Sequence, residues 1–357
     1  MFNRLFSPRT VFILLCLLLA SAVAGCKGRM SSPKPPPNLF TITGGNLYDV
    51  ATVGLNHIWL VGGYGAIHYS MDGGKNWSRQ VSGTENLLSS VQFLNEKTGW
   101  ISGTYGTLLV TENGGNTWVL QNTGTQEHLL GFYFLNKDLG WAVGVMGTIL
   151  HTEDGGKTWI SQREKEDVML NDVCFVDEKT GWVVGEFGTI LHTRDGGKTW
   201  VKQKPKTLFA EEDNIWANTV QALYGVKFID QSRGWVVGMA GVLLRTEDGG
   251  KSWIDLRESH KIKKKPLYDV EIKGNRGWIV GSGGNYLLSE DGGKSWQLMD
   301  EAIKTRFWLT GISFSNQDKG WVVGARGAVV KTEDGGKTWT MLSGLTYDVP
   351  EFGLADF

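Results

Sequence analysis

Short apolar stretches alternate with breaks rich in glycine and aspartate along most of the chain, from Leu47 to about Leu342. One such unit begins with LNDVCF, continues with GWVVG and GTILHT, and ends, after a DGGK break, with TWVKQ. Stretches this short, rich in valine, isoleucine and tryptophan and bounded by turn residues, are typical of β-strands. The pattern therefore predicts an all-β fold with four short strands in each unit.

The tryptophans show how often the unit repeats. Most of the 16 tryptophans form pairs whose members lie 18 residues apart: Trp59/Trp77, Trp100/Trp118, Trp141/Trp159, Trp182/Trp200, Trp235/Trp253, Trp278/Trp296 and Trp321/Trp339. Repetition at about 40 residues indicates a propeller or a solenoid, and solenoid units are usually shorter. We therefore predict a seven-bladed β-propeller with four antiparallel strands per blade and blades at about 47–80, 87–121, 129–162, 170–203, 223–256, 267–300 and 309–342.

The break before the last strand of each unit follows the pattern Ser/Thr-x-Asp-x-Gly-x-x-Trp, which resembles the Asp-box. Its aspartate can accept hydrogen bonds from the turn, and its glycine suits positive φ. The second unit has asparagine instead, which keeps an acceptor oxygen but loses the charge, so the position needs geometry rather than ionisation. One carboxylate per box is too few for a calcium site. We predict structural roles, and neither catalysis nor metal binding, for Asp72, Asn113, Asp154, Asp195, Asp248, Asp291 and Asp334.

The two faces of the predicted propeller differ. Asp-box turns lie on one face, whereas the turns between second and third strands lie on the other, together with the variable connections between blades. Function commonly lies in such loops on a rigid scaffold. Blades 1 to 4 carry a large apolar residue at this turn, which predicts an apolar arc for a partner unless each side chain packs on its neighbour's turn: Tyr64, Tyr105, Met146 and Phe187.

Other candidates lie on the same face. Trp216, in the longest insertion, and Trp308, just before blade 7, fall outside the repeat positions, so we consider both as binding hot spots, with packing inside their loops as the alternative. Arg326 is the one basic residue at the turn position of the arc. The run HKIKKKP, from His260 to Pro266, is interpreted as a solvated loop or as a contact for anionic lipid or an acidic partner.

The innermost strands of three blades carry an aspartate at equivalent positions, namely Asp49, Asp172 and Asp269. We expect these three to accept hydrogen bonds from the neighbouring backbone, with a cation or a polar ligand at the mouth of the channel as the alternative.

The N-terminus carries the pattern of an exported protein. An apolar run, VFILLCLLLA, follows two arginines and precedes VAGC, which resembles the bacterial lipobox. We predict a signal peptide over 1–25, lipidation at Cys26, a flexible linker over 26–46 and a C-terminal tail over 343–357. Either the segment 38–44 or the C-terminal tail is a candidate for closing the ring between blades 7 and 1, and the sequence leaves the choice open. A plain secretory peptide, with Cys26 incidental, is the alternative. The lipid anchor would hold the protein on a membrane at the periplasmic or thylakoid-lumenal side, with Cys174 as a buried free thiol.

The longer units GWVVGEFGTILHTRDGGKTW and GWVVGARGAVVKTEDGGKTW resemble the repeat of the photosystem II stability/assembly factor family. The Asp-box alone is less specific, since it also occurs in sialidases, other glycoside hydrolases and sortilin-like receptors. The resemblance runs from residue 47 to about 342. It implies a non-enzymatic, membrane-tethered factor that docks on intermediates of a membrane protein complex. Photosynthetic members carry an arginine-rich patch, whereas arginine is sparse here, so photosystem II and another envelope complex both stay open as partners.

Two other classes of function use the same fold. A sialidase-like hydrolase would need an arginine cluster, a tyrosine nucleophile with its glutamate and usually a Phe/Tyr-Arg-Ile-Pro segment, which this sequence lacks. A carbohydrate- or pigment-binding receptor would use the aromatic arc without chemistry. The six histidines have no metal-ligand spacing, and a formal net charge of −1 provides no general attraction for nucleic acid. We expect a monomeric binding protein without metal or cofactor.

Overall fold

The computed structural model describes residues 45–205, 221–260, 262–299 and 301–343. Within these ranges, strands β1 to β28 form seven antiparallel sheets, and each sheet takes four consecutive strands in chain order. The seven-bladed propeller predicted from the repeat is therefore confirmed. No helix in the described ranges is long and apolar enough to cross a membrane.

The strands have the following bounds. Blades 1 to 4 contain β1 to β16, at Leu47–Val53, His57–Gly62, Ala66–Ser70, Ser78–Val81; Leu88–Phe93, Gly99–Gly103, Leu108–Thr111, Val119–Leu120; Leu129–Phe134, Gly140–Gly144, Ile149–Thr152, Ile160–Ser161; Leu170–Phe175, Gly181–Gly185, Ile190–Thr193, Val201–Gln203. Blades 5 to 7 contain β17 to β28, at Leu223–Phe228, Gly234–Gly238, Leu243–Thr246, Ile254–Asp255; Leu267–Lys273, Arg276–Gly281, Tyr286–Ser289, Gln297–Leu298; Leu309–Phe314, Gly320–Gly324, Ala328–Thr332, Thr340–Ser343. Single 3-10 turns lie at Val145–Gly147, Met239–Gly241, Ser282–Gly284 and Ala325–Gly327.

The core lies between neighbouring blades. The tryptophan of each second strand is buried, and in blades 1 to 6 its indole N–H donates to an Asp-box glycine carbonyl of the next blade. Trp141, for example, donates to Gly196 O at 3.1 Å and stacks on Phe175 of blade 4, with ring centroids 3.5 Å apart. Removal of such a side chain costs about 3–5 kcal/mol. The Asp-box turns therefore also join the blades to each other.

The ring closes between blades 7 and 1 by packing of β25 and β26 on β1. At this junction Thr52 occupies the position at which blade 4 has Phe175 stacked on the tryptophan of the preceding blade. The Thr52 hydroxyl lies 2.9 Å from Ser313 Oγ. The Thr310 hydroxyl donates to Leu47 O at 3.0 Å. Among the described residues, Trp321 Nε1 has no hydrogen-bond partner. The closing junction thus lacks the indole hydrogen bond found at the six other junctions, and, like the junction of blades 5 and 6 with Ile272, it has no stacked phenylalanine. Apart from residues 45–46 and Ser343, the predicted linker and C-terminal tail lie outside the described residues.

Candidate docking face

The turns between second and third strands share an unusual backbone conformation. In six blades the residue before the turn glycine has a left-handed φ between 53° and 57° although it carries a side chain: Tyr64, Tyr105, Met146, Phe187, Ala240 and Arg326. Blade 6 has Gly283 at this position, with φ 66°, so glycine is compatible with the turn. A left-handed φ costs an L-residue about 1–2 kcal/mol. Six blades therefore keep a side chain where glycine would remove strain.

The opposite face provides a comparison within the same molecule. All fourteen left-handed positions in the seven Asp-boxes are glycines, with φ between 72° and 93°. Strain is thus avoided on the Asp-box face and retained on the other face. Strained positions of this kind cluster at binding sites, which marks the face of the second-to-third-strand turns as the candidate docking face.

Three of the four predicted arc residues are exposed. The exposed fractions are 70% for Tyr64, 62% for Tyr105 and 43% for Phe187, while Met146 is half-buried. The Tyr105 ring lies edge-on to His128, with centroids 4.9 Å apart, and its backbone N–H donates to His128 Nδ1 at 2.9 Å. Large apolar side chains at this exposure, repeated on consecutive blades, form an apolar surface available to a partner.

Hydrogen bonds from the connections hold these turns in place. The turn glycine of blade 1, Gly65, donates to Asn86 O at 2.9 Å, and Gly147 of blade 3 donates to Val168 O at 2.7 Å. Equivalent bonds join the turns of blades 2, 4 and 6 to the connections that follow. The arc is therefore fixed on the scaffold before any partner arrives, which reduces the entropy lost on binding.

The remaining candidates differ in what the structure shows. Trp308 is half-buried, and its carbonyl accepts the Ala325 N–H at 3.0 Å, so this residue also supports the blade 7 turn. The exposed Arg326 guanidinium lies over the Phe307 ring, 4.7 Å from its centroid. Trp216 lies outside the described residues, so its role as a hot spot stays a prediction.

Sequence reasoning missed a set of carboxylates beside the arc. In blade 1, the connection residues Thr84 and Asn86, which flank Glu85, both contact Gly65. In blade 3, Glu166 donates its N–H to Met146 O at 3.1 Å. Each arc turn thereby carries a glutamate or is held through its backbone by a connection that carries one, in blade order Glu85, Glu127, Glu166 and Glu186. The carboxylate of Glu186 accepts the Met169 N–H at 3.1 Å. The sequence carries no periodic signal for these glutamates, because Glu85, Glu127 and Glu166 lie at different repeat positions, eight, nine and seven residues after the fourth-strand tryptophan of their blades.

The Asp-boxes form closed hydrogen-bond networks. In blade 3, the Thr152 hydroxyl donates to Asp154 Oδ1 at 2.8 Å and accepts the Gly156 N–H at 2.9 Å. Thr158 donates its hydroxyl to Asp154 Oδ2 at 2.7 Å and its N–H to Oδ1 at 2.9 Å. These bonds lower the pKa of Asp154 to about 2. The carboxylate is occupied by its own turn.

The second blade contains an asparagine in the same network. Asn113 Oδ1 accepts the Thr117 N–H at 2.9 Å, as aspartate does elsewhere. Its amide Nδ2 then donates to Thr117 Oγ1 at 2.9 Å, which reverses the direction of the second bond. The threonine hydroxyl can donate or accept, so the turn forms without a charge.

The three channel aspartates bridge neighbouring blades. Asp172 of blade 4 accepts the N–H of Val173 at 2.8 Å and that of Val226, on blade 5, at 2.9 Å. Asp49 bridges blades 1 and 2 in the same way, and Asp269 bridges blades 6 and 7. Burial raises the pKa of Asp49 and Asp172 to about 7, and that of Asp269 to about 6. The expected backbone contacts are present, and the described residues contain no cluster suited to a metal ion.

Comparison with known proteins identifies the family. The family model described as "Photosynthesis system II assembly factor YCF48" matches residues 37–110, 76–165, 110–207, 162–221, 205–305 and 301–354. These segments together cover most of the chain. The protein belongs to the YCF48 family. This agrees with the resemblance of the repeat and supports the assembly-factor class of function for the family member described here.

Solved structures of YCF48 have the same fold. YCF48 from Cyanidioschyzon merolae is 21% identical with a TM-score of 0.66, over 83% of this chain and 98% of that one. A structure named "YCF48 bound to D1 peptide" is also 21% identical, with a TM-score of 0.64, over 82% of this chain and 94% of that one. No curated protein matches the sequence.

Propellers of enzymes are also similar in fold. The GH74 xyloglucanase from Xanthomonas campestris is 11% identical with a TM-score of 0.68, over 85% of this chain and 55% of that one. At such identity the likeness concerns the propeller alone, because one fold supports many unrelated functions.

Proposed function

We propose that this protein is an exported, lipid-anchored, non-enzymatic assembly factor that binds a membrane protein complex, or an intermediate of one, through the candidate docking face. Membership of the YCF48 family supports this class of function, and a relative of that name has been studied with a D1 peptide. The observation that carries the proposal is the strain retained on one face only. Side chains that destabilise the fold are expected to contribute to binding instead.

The proposal leaves two kinds of complex as partners. A photosystem II intermediate fits a photosynthetic host, and another envelope complex fits any other host. Cys26 is proposed as the lipidated residue that keeps the protein at the membrane on which the partner lies. Tethering raises the local concentration of a partner in the same membrane, so a modest contact surface suffices.

Affinity capture from solubilised membranes tests the docking face. The bait is the full chain, and the test variant carries Tyr64→Gly, Tyr105→Gly and Phe187→Gly, which preserve the turn conformation. Lys157→Ala, at an exposed position of the Asp-box face, is the matched control. We expect wild type and control to capture the same membrane protein and the triple variant to lose it. Equal capture by all three would contradict the proposal.

The membrane anchor is tested separately by cell fractionation. We expect wild type in the membrane fraction and Cys26→Ser either soluble or retained as an uncleaved precursor. Processed, membrane-bound Cys26→Ser that resists a carbonate wash would show that lipidation at this residue is not the anchor.

A further inference from the structure

The carboxylates beside the arc follow a regular arrangement. On blades 1 to 4, each arc turn carries a glutamate or is bonded through its backbone to a connection that carries one, in blade order Glu85, Glu127, Glu166 and Glu186. The three connections that join these blades add Glu164 and Asp167, against two basic residues, Arg163 and Lys165. The arc is therefore both apolar and acidic.

The other side of the face has the opposite charge. At blades 5 and 6 the turn residues are small, and a basic connection lies over them, so that a Cβ on Gly283 would lie 3.0 Å from Lys265 Nζ. The described parts of the two connections after blades 5 and 6, with the blade 7 turn, carry these basic residues: Arg257, Lys263, Lys264, Lys265, Lys304, Arg306 and Arg326. Two acidic residues, Glu258 and Glu301, oppose them there. The charge of the face is thus divided between its two halves.

Contacts within the chain show which contacts a cation already makes on this face. Lys165 Nζ lies 2.7 Å from Glu127 Oε1, and Arg163 is paired with Glu166. On the far side of the face, Arg326 lies over the ring of Phe307. Both kinds of cation contact, with a carboxylate and with an aromatic ring, therefore already form on this surface between its own residues.

We propose that the arc of blades 1 to 4 binds a segment of a partner protein that presents lysine or arginine side chains. The inference rests on the proposed function, because it specifies the chemistry of the segment that this face takes. An aromatic ring attracts a cation through its electron-rich face, and an adjacent carboxylate adds a charge contact. Complementary charge also sets the orientation of the segment, since its basic part is repelled by the lysine-rich half.

Two methionines report on the two halves. Met146 belongs to the arc, whereas Met239 lies beside the blade 5 turn and is 37% exposed. We would label methionine at its methyl carbon in the full chain and titrate a capped peptide of Arg-Gly-Leu repeats. A matched peptide with glutamate in place of arginine, and phosphatidylcholine vesicles as a source of lipid cations, are the comparison probes.

The expected result is a shift of the Met146 methyl signal with the arginine peptide, weakened by salt, and no shift of Met239. Tyr105→Ala should weaken binding about two- to fivefold, and Glu85→Gln should weaken it as well. Glu258→Gln, in the lysine-rich half, should leave it unchanged. An unfolded variant would be recognised because all of its methionine signals would move to random-coil positions. Tyr105→Phe, which keeps the aromatic ring, is the second control and should retain binding.

Several outcomes would overturn the inference: a Met146 shift with the glutamate peptide, equal shifts of both methionines with the arginine peptide, or a response to the vesicles alone. Capture of a membrane protein through the arc without any arginine-peptide binding would reject the inference and leave the proposed function intact. Peptide binding without capture would reject the proposed function and leave the cation-binding arc.

Discussion

Replacement of the arc residues by glycine should stabilise the fold relative to replacement by alanine. The test compares the triple variant Tyr64→Gly, Tyr105→Gly, Phe187→Gly with the same triple carrying alanine. Both remove the same rings, and the rings of Tyr64 and Tyr105 are largely exposed, so the loss of packing is nearly equal. The two triples differ only in whether a Cβ occupies a left-handed position.

The size of the difference follows from the backbone. A Cβ at φ near 55° destabilises the alanine variant by about 1–2 kcal/mol per site. The greater freedom of glycine in the unfolded chain destabilises the glycine variant by roughly 0.5–1 kcal/mol per site. The net is roughly 0.5–1 kcal/mol per site. The three turns lie on different blades, so their effects should add to about 2 kcal/mol. For a domain of this size that corresponds to a rise in Tm of about 4 °C.

Urea and thermal unfolding of the two triples measure this difference, with Gly283→Ala as a matched inverse control. We expect the glycine triple to unfold at a higher temperature than the alanine triple, and Gly283→Ala to be less stable than wild type. If the glycine triple were equal to or less stable than the alanine triple, the turns would carry no strain. The inference that their side chains are kept for binding would then lose its basis.

Three further predictions concern the scaffold. Asp154→Asn should unfold at nearly the same urea concentration as wild type, because Asn113 accepts the same turn N–H in blade 2. Asp154→Ala should unfold at a lower urea concentration, because the N–H and hydroxyl of Thr158 lose their acceptor. Equal losses in the two variants would mean that the charge matters. Trp141→Phe should lower the free energy of unfolding by about 1 kcal/mol more than Trp321→Phe, because of these two indole N–H groups only that of Trp141 donates to the next blade. The reverse order in urea unfolding would contradict the absence of this bond at the closing junction. Burial raises the pKa of Asp49, Asp172 and Asp269 above the value in the unfolded chain. Their contribution to the free energy of unfolding is therefore fully present below about pH 4 and is lost as the pH rises to about 7. Asp172→Asn should flatten the dependence of stability on pH in this range, and an unchanged slope would show that the pKa of Asp172 is not raised.

The fold could be predicted from the sequence because every blade repeats the same local physics. The tryptophan spacing and the glycine pairs mark one four-stranded unit, and seven such units can bury their faces only against one another. Closure of the ring could not be predicted, since both tails were candidate closing segments. It depends instead on side-chain contacts of Thr52, Ser313 and Thr310. The bond from Thr310 to Leu47 O has counterparts in those from Ser89 to Leu129 O and from Asn171 to Leu223 O, so it is one variant of a repeated contact between blades.

The candidate site was predicted only in part. The arc was visible as large residues at one repeat position, but the left-handed φ that distinguishes it from ordinary packing is a property of the backbone. The acidic neighbours were hidden because Glu85 and Glu166 occupy different positions of the repeat, eight residues after Trp77 and seven residues after Trp159. Gly311 belongs to a repeated contact between blades. A Cβ there would lie 2.8 Å from Asp49 Cα, and one on Gly131 would lie 3.0 Å from Asp172 Cα, so the glycine of one blade lies against the aspartate of the next.

The most direct test of the central claim is site-specific photo-crosslinking in the living source cell. A benzophenone amino acid would replace Tyr105 on the candidate docking face or Lys157 on the Asp-box face. Docking through this face predicts a crosslinked membrane protein from position 105 and none from position 157. Crosslinks from position 157 alone, or the same product from both positions, would contradict docking through the strained turns.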